Sequence, residues 1–265
     1  MPLPPATLLL LVILLIVVIV TLLHHERVRT GKIVITARPL RALGVIRQAL
    51  AHGAETGRAI HLSPGPGSIG GRGSTAETIA GLLAAERVAT EAALNGAGIL
   101  CSSGDAVAHL ALRGTLRQAY QHAGLGQDYR PGNVELLAQN DAMAYASGVT
   151  TLYGRQPLEA SQMFGSFDQE LLLASEVGAQ LAVPQVVGAT STSAQPIALL
   201  AADEMLIGEE IYAAEAYLGS LPSAQARLLT QDSLRSVVIL AIIMLFVARL
   251  IIVLTGIDVS LPFSF

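Results

Sequence analysis

The sequence predicts an α/β fold in which a mostly parallel, Rossmann-like sheet is flanked by helices and one transmembrane helix stands at each end. Two apolar stretches, residues 7–23 and 237–255, predict the ends. A helix rises about 1.5 Å per residue against a hydrocarbon core of about 30 Å, so each stretch is about long enough to cross a bilayer. Between them, short β-prone runs alternate with helical patterns, which is typical of a parallel sheet covered by helices.

The first elements of the middle segment follow from residue spacing. Residues 32–36 form a short β-prone run, and apolar residues at helical intervals predict a helix over residues 39–52. Residues 59–62 predict a strand that runs into a Gly-rich loop. Ser74 and Glu77 have the spacing of a capping box and predict the start of the next helix.

The same pattern of strand, junction and helix then repeats along the chain. The later predicted elements are strand 98–101, a helix through residues 110–120, strand 134–138, helix 142–147, helix 168–176, strand 181–187 and a long helix over residues 196–218. Pro222 suits the first turn of a further helix. No helix breaker separates it from the second apolar stretch, so this helix is predicted to enter the membrane without interruption.

These elements divide the chain into an N-terminal transmembrane anchor at residues 1–24, a cytoplasmic α/β domain at 25–235, and a C-terminal transmembrane helix with a short tail at 236–265. Residues 1–5 contain no Lys or Arg and no small-residue cleavage site follows the first stretch, so we expect a retained anchor rather than a cleaved signal. Basic residues favour the cytoplasmic side of a membrane. They flank both stretches on the domain side, at Arg27, Arg29, Lys32, Arg227 and Arg235. The domain is therefore predicted to be cytoplasmic, with both termini outside.

Composition and charge exclude several classes of protein. The net charge is −4 and no basic run interleaves with aromatic residues, so nucleic acid is not a predicted partner. The one cysteine, Cys101, excludes a disulfide framework within the chain. Between Arg155 and Arg227 the chain has nine Asp or Glu residues and no Lys or Arg. This polarity predicts either complementary flanks for head-to-tail self-association or a set of solvated helix faces.

Four strand-to-helix junctions carry the candidate binding residues. The carboxyl ends of parallel strands meet at one edge of a sheet, where helix N-termini expose unpaired N–H groups, so the junctions predict a site for a small anionic molecule or a nucleotide. The candidate ligand-binding residues are Ser63, Gly65, Gly67, Gly70, Ser102, Ser103, Asp105, Asn140, Asp141, Ser191 and Thr192. Ser, Thr, Asn and Asp also cap helices when nothing binds, and this alternative stays open.

The Gly-rich junction matches a dinucleotide-binding pattern only in part. Residues 65–70 have the form G-x-G-x-x-G after a strand, but the cap at Ser74 comes too late for the usual tight turn, and no acidic residue ends the next strand. No lysine follows the loop, which excludes a P-loop. His24, His25 and Glu26 flank the anchor, and the other histidines lack metal-ligand spacing. No catalytic residue, metal site or cofactor is therefore predicted.

Arg249 lies inside the second apolar stretch, where a charge near the bilayer centre costs at least about 2.5 kcal/mol. Three partners are possible: the outer headgroups reached by snorkelling, Asp258, or the carboxylate of Phe265 in a neighbouring copy. The last of these predicts contact between copies in the lipid bilayer. A water-filled pore lined by Arg249 is a further alternative.

Three segments, residues 102–120, 165–171 and 206–217, resemble an uncharacterised bacterial family of membrane proteins that carries a conserved α/β domain of unknown function. The resemblance implies a location in a bacterial plasma membrane and assigns no activity to any residue. We predict a structural function: a two-span subunit that self-associates into a homo-oligomeric ring or lattice and serves as a scaffold. The alternatives are a membrane-tethered enzyme or sensor that binds a small anionic molecule at the junctions, and a channel.

Overall fold

A computed structural model of the chain describes residues 5–33, 38–70, 73–219 and 221–255. The chain divides by its internal contacts into two units. One contains the two terminal helices, and the other, Thr36–Ser220, is an α/β domain.

The elements alternate along the chain. The strands are β1 Ala59–Ser63, β2 Ile99–Ser103, β3 Val134–Leu136, β4 Leu158–Phe164, β5 Gln185–Ala189 and β6 Glu204–Ile207. The helices are α1 Pro5–Arg29, α2 Arg41–Thr56, α3 Thr75–Asn95, α4 Ala106–His122, α5 Ala142–Arg155, α6 Leu171–Gln180, α7 Ala194–Ala201, α8 Glu210–Leu218 and α9 Pro222–Thr255, with a short 3-10 turn at Pro131–Asn133.

In the terminal unit, α1 and α9 pack against each other. The Nδ1 atom of His24 lies 3.2 Å from the Oγ1 atom of Thr230. Within the described residues these two helices are long and apolar enough to cross a membrane, and their apolar stretches are unburied. The predicted uninterrupted helix after Pro222 is confirmed, because α9 continues to Thr255 without a break.

The domain contains a six-stranded sheet of order β3-β2-β1-β4-β5-β6, and every described strand pair is parallel. The predicted fold class is confirmed. In this order the chain builds outward from β1 in one direction and then from β4 in the other, as in doubly wound nucleotide-binding folds. The boundary between β1 and β4 is the switch point of the topology, where folds of this kind place their ligand crevice.

Helices cover the sheet on both faces and divide the core in two. On one face α2, α3, α4 and α8 pack over Ile60 and Leu62 of β1. On the other face α5, α6 and α7 pack over Met163 of β4 and Val187 of β5. Side chains alternate along a strand, so His61, between Ile60 and Leu62, points toward the second face. The position of this polar residue decides much of the geometry of the site.

Two parts of the sheet differ from the sequence prediction. β4 was not predicted, although it lies in the middle of the sheet between β1 and β5. The predicted long helix over residues 196–218 is wrong, because β6 lies between α7 and α8. Ala202 leaves the helical region at φ −94° and ψ 153°, which ends α7. Gly208, at φ 56°, then turns the chain from β6 toward α8.

Smaller differences concern element ends. The strand predicted over residues 181–187 begins only at Gln185, because the chain turns at Ala182, whose φ is 54°. The strand predicted over 134–138 ends at Leu136, and the helix predicted over 142–147 continues to Arg155. Most of the β-prone run at 32–36 lies outside the described residues.

The helix caps follow the prediction at two junctions and depart from it at a third. The carboxylates of Asp105 and Asp141 each accept a hydrogen bond of 2.9 Å, from the backbone N–H groups of Ala108 and Ala144. The predicted capping box at Ser74 is wrong. Ser74 has helical backbone angles where a capping residue is usually extended, and its hydroxyl donates to the carbonyl oxygen of Ser68 instead, at 2.9 Å.

Candidate functional site

A cleft of about 280 Å³ opens at the carboxyl edge of the sheet, beside the switch point between β1 and β4. The loop after β1 and the loop after β4 form most of its wall, and the N-termini of α3 and α5 complete it. The described lining residues are Pro66, Gly67, Ser68, Ser74, Asn140, Ala142, Ser166, Phe167, Asp168 and Glu170.

Backbone contacts between loops form the floor of the cleft. The N–H of Ser166 donates to the carbonyl oxygen of Pro64 at 3.2 Å, and the N–H of Gly104 donates to that of Gly65, also at 3.2 Å. Gly65 has φ 86°, and a Cβ atom there would lie 2.5 Å from the carbonyl oxygen of Ser166. Only glycine meets both requirements, so this position fixes how closely the β1 and β4 loops approach.

A second close approach brings α3 onto the end of β4. A Cβ atom on Gly81 would lie 1.9 Å from the carbonyl oxygen of Phe164. The absence of a side chain at this helical position therefore lets α3 pack directly against the strand backbone. The N-terminus of α3 reaches the cleft as a result.

A chain of buried hydrogen bonds runs beneath the cleft. Its members come from three strands and from α5: Tyr153, Ser161, His61, Ser102, Tyr145 and Ser63. Tyr153 donates to the hydroxyl of Ser161 at 2.7 Å. The two ring nitrogens of His61 lie 2.8 Å from the hydroxyls of Ser161 and Ser102. The chain ends at the Gly65 N–H, which donates to the Ser63 hydroxyl at 2.9 Å, so it connects the sheet interior to the floor of the cleft.

Burial keeps this network uncharged. It lowers the pKa of His61 to about 3, because the charged imidazolium would be desolvated. Burial likewise raises the pKa of Tyr145 to about 12 and raises that of Tyr153. A neutral imidazole has one donor and one acceptor nitrogen, which suits a position between two hydroxyls. The network therefore joins β1, β2, β4 and α5 without bringing a charge into the core.

The charged groups of the cleft are carboxylates. Asp168 is exposed, whereas Glu170 is only 4% exposed, and its carboxylate accepts from the Asp168 N–H at 2.8 Å. Ser191 donates to the other side of this wall, to Asp168 Oδ1 at 3.0 Å. None of the described lining residues is Lys or Arg. Nearby, Thr190 donates to Glu77 of α3, and burial raises the pKa of the Glu77 carboxyl.

The structure places the predicted ligand-binding residues in three environments. Gly67 and Asn140 line the cleft. Ser63, Gly65 and Ser102 lie beneath it in the buried hydrogen-bond chain and its end. The remainder act locally or lie at the neighbouring junctions: Asp105 and Asp141 as caps, Ser103 at 3.3 Å from His109 Nδ1, Ser191 on Asp168, Gly70 donating to the Thr75 hydroxyl, and Thr192 exposed. Their role in binding a ligand stays a prediction.

Comparison with known families gives a match over nearly the whole chain. The model of a family described as a domain of unknown function, DUF6754, matches residues 5–260. The chain belongs to the DUF6754 family. No curated protein and no solved structure matches it. The predicted resemblance to a family of unknown function is confirmed over nearly the whole chain, while a bacterial and membrane origin stays a prediction.

Part of the cleft of this DUF6754 protein escaped the sequence prediction. Ser166, Phe167, Asp168 and Glu170 were missed as lining residues because β4, the strand that carries them to the sheet edge, was not predicted. The run from Met163 to Asp168, in which an apolar pair is followed by Gly and polar residues, is the signal that could have located a further strand-to-junction boundary.

The residues predicted to act in the membrane are only partly described. Arg249 lies exposed on α9. Asp258 and Phe265 lie outside the described residues. In the part of the chain that the structure describes, no group of three or more His, Cys, Asp or Glu side chains is placed to hold a metal ion.

Proposed function

We propose that this DUF6754 protein is a membrane-anchored receptor domain that binds a small amine-bearing molecule in the cleft between β1 and β4. The anchoring is supported by α1 and α9, whose apolar residues lie on the surface over lengths that match a bilayer. Leu10 and Leu22 of α1 and Leu245 of α9 each expose more than 60% of their surface. So large an apolar surface is unfavourable in water, and lipid would cover it.

The position of the cleft supports ligand binding. In open α/β sheets, ligands bind outside the carboxyl ends of the strands, at the switch point. The cleft lies there and is lined by small polar groups from Ser68, Ser74, Asn140 and Ser166. Its volume of about 280 Å³ is at the lower end of ligand pockets, which suits a molecule much smaller than a dinucleotide.

The charge of the lining decides the ligand class, and Glu170 carries the argument. The residue as a whole is 4% exposed, and a charge that is largely removed from water is normally paired with a cation. Glu170 accepts the Asp168 N–H and lies at the N-cap of α6, where the helix dipole favours a negative charge, but no described Lys or Arg forms an ion pair with it. A ligand ammonium group would supply that pair. We therefore propose an amine in place of the anion that the junctions alone predict.

Thermal unfolding of the purified full chain in lipid nanodiscs tests the ligand class. A ligand that binds only the folded state raises the melting temperature with its concentration. We expect putrescine or ethanolamine to raise it and inorganic phosphate, acetate and ATP to leave it unchanged. Glu170→Gln and Asp168→Asn should abolish the shift, whereas Glu176→Gln, an exposed carboxylate of α6 outside the cleft lining, should retain it.

Two results would contradict this proposal. A rise in melting temperature with phosphate or ATP that is lost in Ser74→Ala would support the anionic ligand predicted from the sequence instead of an amine. A melting temperature that none of these amines and anions changes would contradict the receptor function.

The membrane location has its own test. We propose the arrangement predicted from the basic flanks, with the domain in the cytoplasm and both termini outside a bacterial plasma membrane. Protease added to inverted membrane vesicles should digest the domain, and protease added to intact spheroplasts should not. Digestion in spheroplasts would show the opposite topology. Release of the protein by alkaline carbonate would contradict anchoring by α1 and α9. Conduction through a pore lined by Arg249 stays a prediction.

A further inference from the structure

The described part of the sheet has two edge strands, and both end on apolar side chains at the surface. Among the residues that the structure describes, β3 pairs only with β2 and β6 only with β5, so they form the two ends of the described sheet. The last residue of β3, Leu136, is 44% exposed, and the last residue of β6, Ile207, is 59% exposed. An edge strand of this kind is a surface on which another chain can pack.

The surface at the β6 end is apolar and mostly acidic, and the basic Arg38 at this end is already paired with Glu210. Leu199 and Leu200, at the end of α7, are 72% and 87% exposed and lie beside β6, against which α7 packs. Around them the segment from α6 to α8 contributes carboxylates and no Lys or Arg. We define the β6 patch as Leu199, Leu200, Ile207, Asp203 and Glu204.

The surface at the β3 end is apolar and mostly basic, and the one acidic residue of β3, Glu135, is already paired with Arg155. Val107 and Leu110 of α4 are 53% and 66% exposed. Arg113 and Arg117 follow on the exposed side of the same helix, and the Tyr129 hydroxyl donates to the Arg113 carbonyl oxygen at 3.2 Å, which holds the segment before β3 against α4. We define the β3 patch as Val107, Leu110, Leu136, Arg113, Arg117 and Arg130.

We propose that the β6 patch of one copy docks on the β3 patch of the next, so that the chains associate head to tail. The two patches match in chemistry. Both contain large apolar side chains, and the carboxylates of the β6 patch are opposite in charge to the arginines of the β3 patch. They also lie on opposite ends of one sheet, so the contact is heterologous and propagates into a ring or a filament. A second copy of this chain is the partner that carries the complementary patch. This contact gives the predicted self-association a defined geometry and is independent of ligand binding in the cleft.

Cysteine cross-linking in lipid vesicles distinguishes this contact from other arrangements. Full-length chains with Leu110→Cys and Leu200→Cys together should form a ladder of dimers, trimers and larger species on mild oxidation. A head-to-tail contact brings Leu110 of one copy beside Leu200 of the next, so a disulfide forms only when both positions are cysteine. Each single variant should therefore stay a monomer. The native Cys101 is buried and does not interfere. The pair Leu94→Cys and Leu181→Cys, also exposed but outside both patches, controls for random collision.

Charge variants give a second, independent measurement. Arg113→Glu with Arg117→Glu should reduce the ladder at least tenfold, and adding Asp203→Lys with Glu204→Lys should restore it. Dimers from Leu200→Cys alone that stop at two chains would show a two-fold contact and overturn the proposal. A ladder no stronger than that of the control pair would overturn it as well.

Discussion

The Nδ1 atom of His61 lies 2.8 Å from the Oγ atom of Ser161, and neither side chain has any exposed surface. This contact joins β1 to β4 across the switch point of the sheet, one hundred residues apart in sequence. The same imidazole reaches Ser102 of β2 through its other nitrogen. His61 therefore ties together the three strands whose loops form the floor of the cleft.

The neutral state of His61 makes the stability of the domain depend on pH. The folded-state pKa of about 3 lies below the ordinary value of 6.5, so the unfolded chain binds one more proton between these two pH values. The contribution of His61 to the free energy of unfolding is full above pH 6.5. It is lost as the pH falls toward 3, at up to about 1.4 kcal/mol per pH unit. Urea unfolding at pH 7, 5.5 and 4.5 measures this slope.

Cys101 supplies the readout for this experiment, because its thiol is buried and reacts only when the domain opens. A disulfide reagent that works in acid, such as 4,4′-dithiodipyridine, reports the unfolded fraction. His61→Gln should be less stable at pH 7 and should show a shallower slope than the native chain. Equal slopes in the two proteins would mean that His61 does not carry the pH dependence.

Tyr153→Phe tests the far end of the hydrogen-bond chain. The change removes the hydrogen bond of 2.7 Å to Ser161 and leaves the buried Ser161 hydroxyl with one partner fewer. We expect this to lower the free energy of unfolding by about 1–2 kcal/mol. Tyr129→Phe removes a longer bond at a half-buried position and should cost under about 0.5 kcal/mol. Chemical denaturation of the two variants compares them, and equal losses would contradict the importance of the buried chain.

Gly81→Ala tests the close approach of α3 to β4. The added methyl group would lie 1.9 Å from a backbone carbonyl oxygen, so strand or helix must shift, at a cost of about 3 kcal/mol or more. Gly114→Ala in α4 is the matched change, because nothing lies within 4 Å of its Cβ position. There the better helix propensity of alanine should stabilise the protein by up to about 1 kcal/mol. Opposite signs are expected in thermal unfolding, and a neutral Gly81→Ala would disprove the packing described.

Asp105→Ala tests the cap of α4. Loss of the hydrogen bond to the Ala108 N–H should cost about 1 kcal/mol. Asp128→Ala removes an exposed carboxylate in the loop that follows α4, where we expect a change within about 0.5 kcal/mol. Denaturant midpoints of the two variants provide the comparison. Asp128→Ala being the more harmful change would rule out the cap as a stabilising contact.

The sequence was sufficient for the fold class because most strand-to-helix junctions carry local signals. Asp105 and Asp141 are capping residues whose partners lie three residues away, and such contacts follow from the chain itself. β4 lacks a signal of this kind. Its interior contains Ser161 and Gln162, polar residues that are uncommon in a buried strand and break the apolar run expected there.

The polar residues of β4 make sense only in the folded sheet. Ser161 is satisfied by His61 and Tyr153, which come from β1 and α5, and the bond to His61 spans one hundred residues of sequence. β6 was lost for a different reason, since four residues between two Ala-rich helices give too little β signal against strong helix propensity. Because β4 was not predicted, Asp168 and Glu170 were not included in the predicted site. The negative charge of the cleft was therefore not predicted either.

The length of α9 has a mechanical consequence. Its 34 residues extend for about 50 Å, well beyond a hydrocarbon thickness of about 30 Å. Sharp bends in helices occur at Pro, at Gly/Ser pairs or at π-bulges, and residues 223–255 contain neither Pro nor Gly. The helix therefore has no position at which it is expected to kink. With the proposed anchoring, a rotation or tilt imposed on its apolar portion by a thinner bilayer, or by a neighbouring helix, would be transmitted along the whole helix to Pro222 in the same direction.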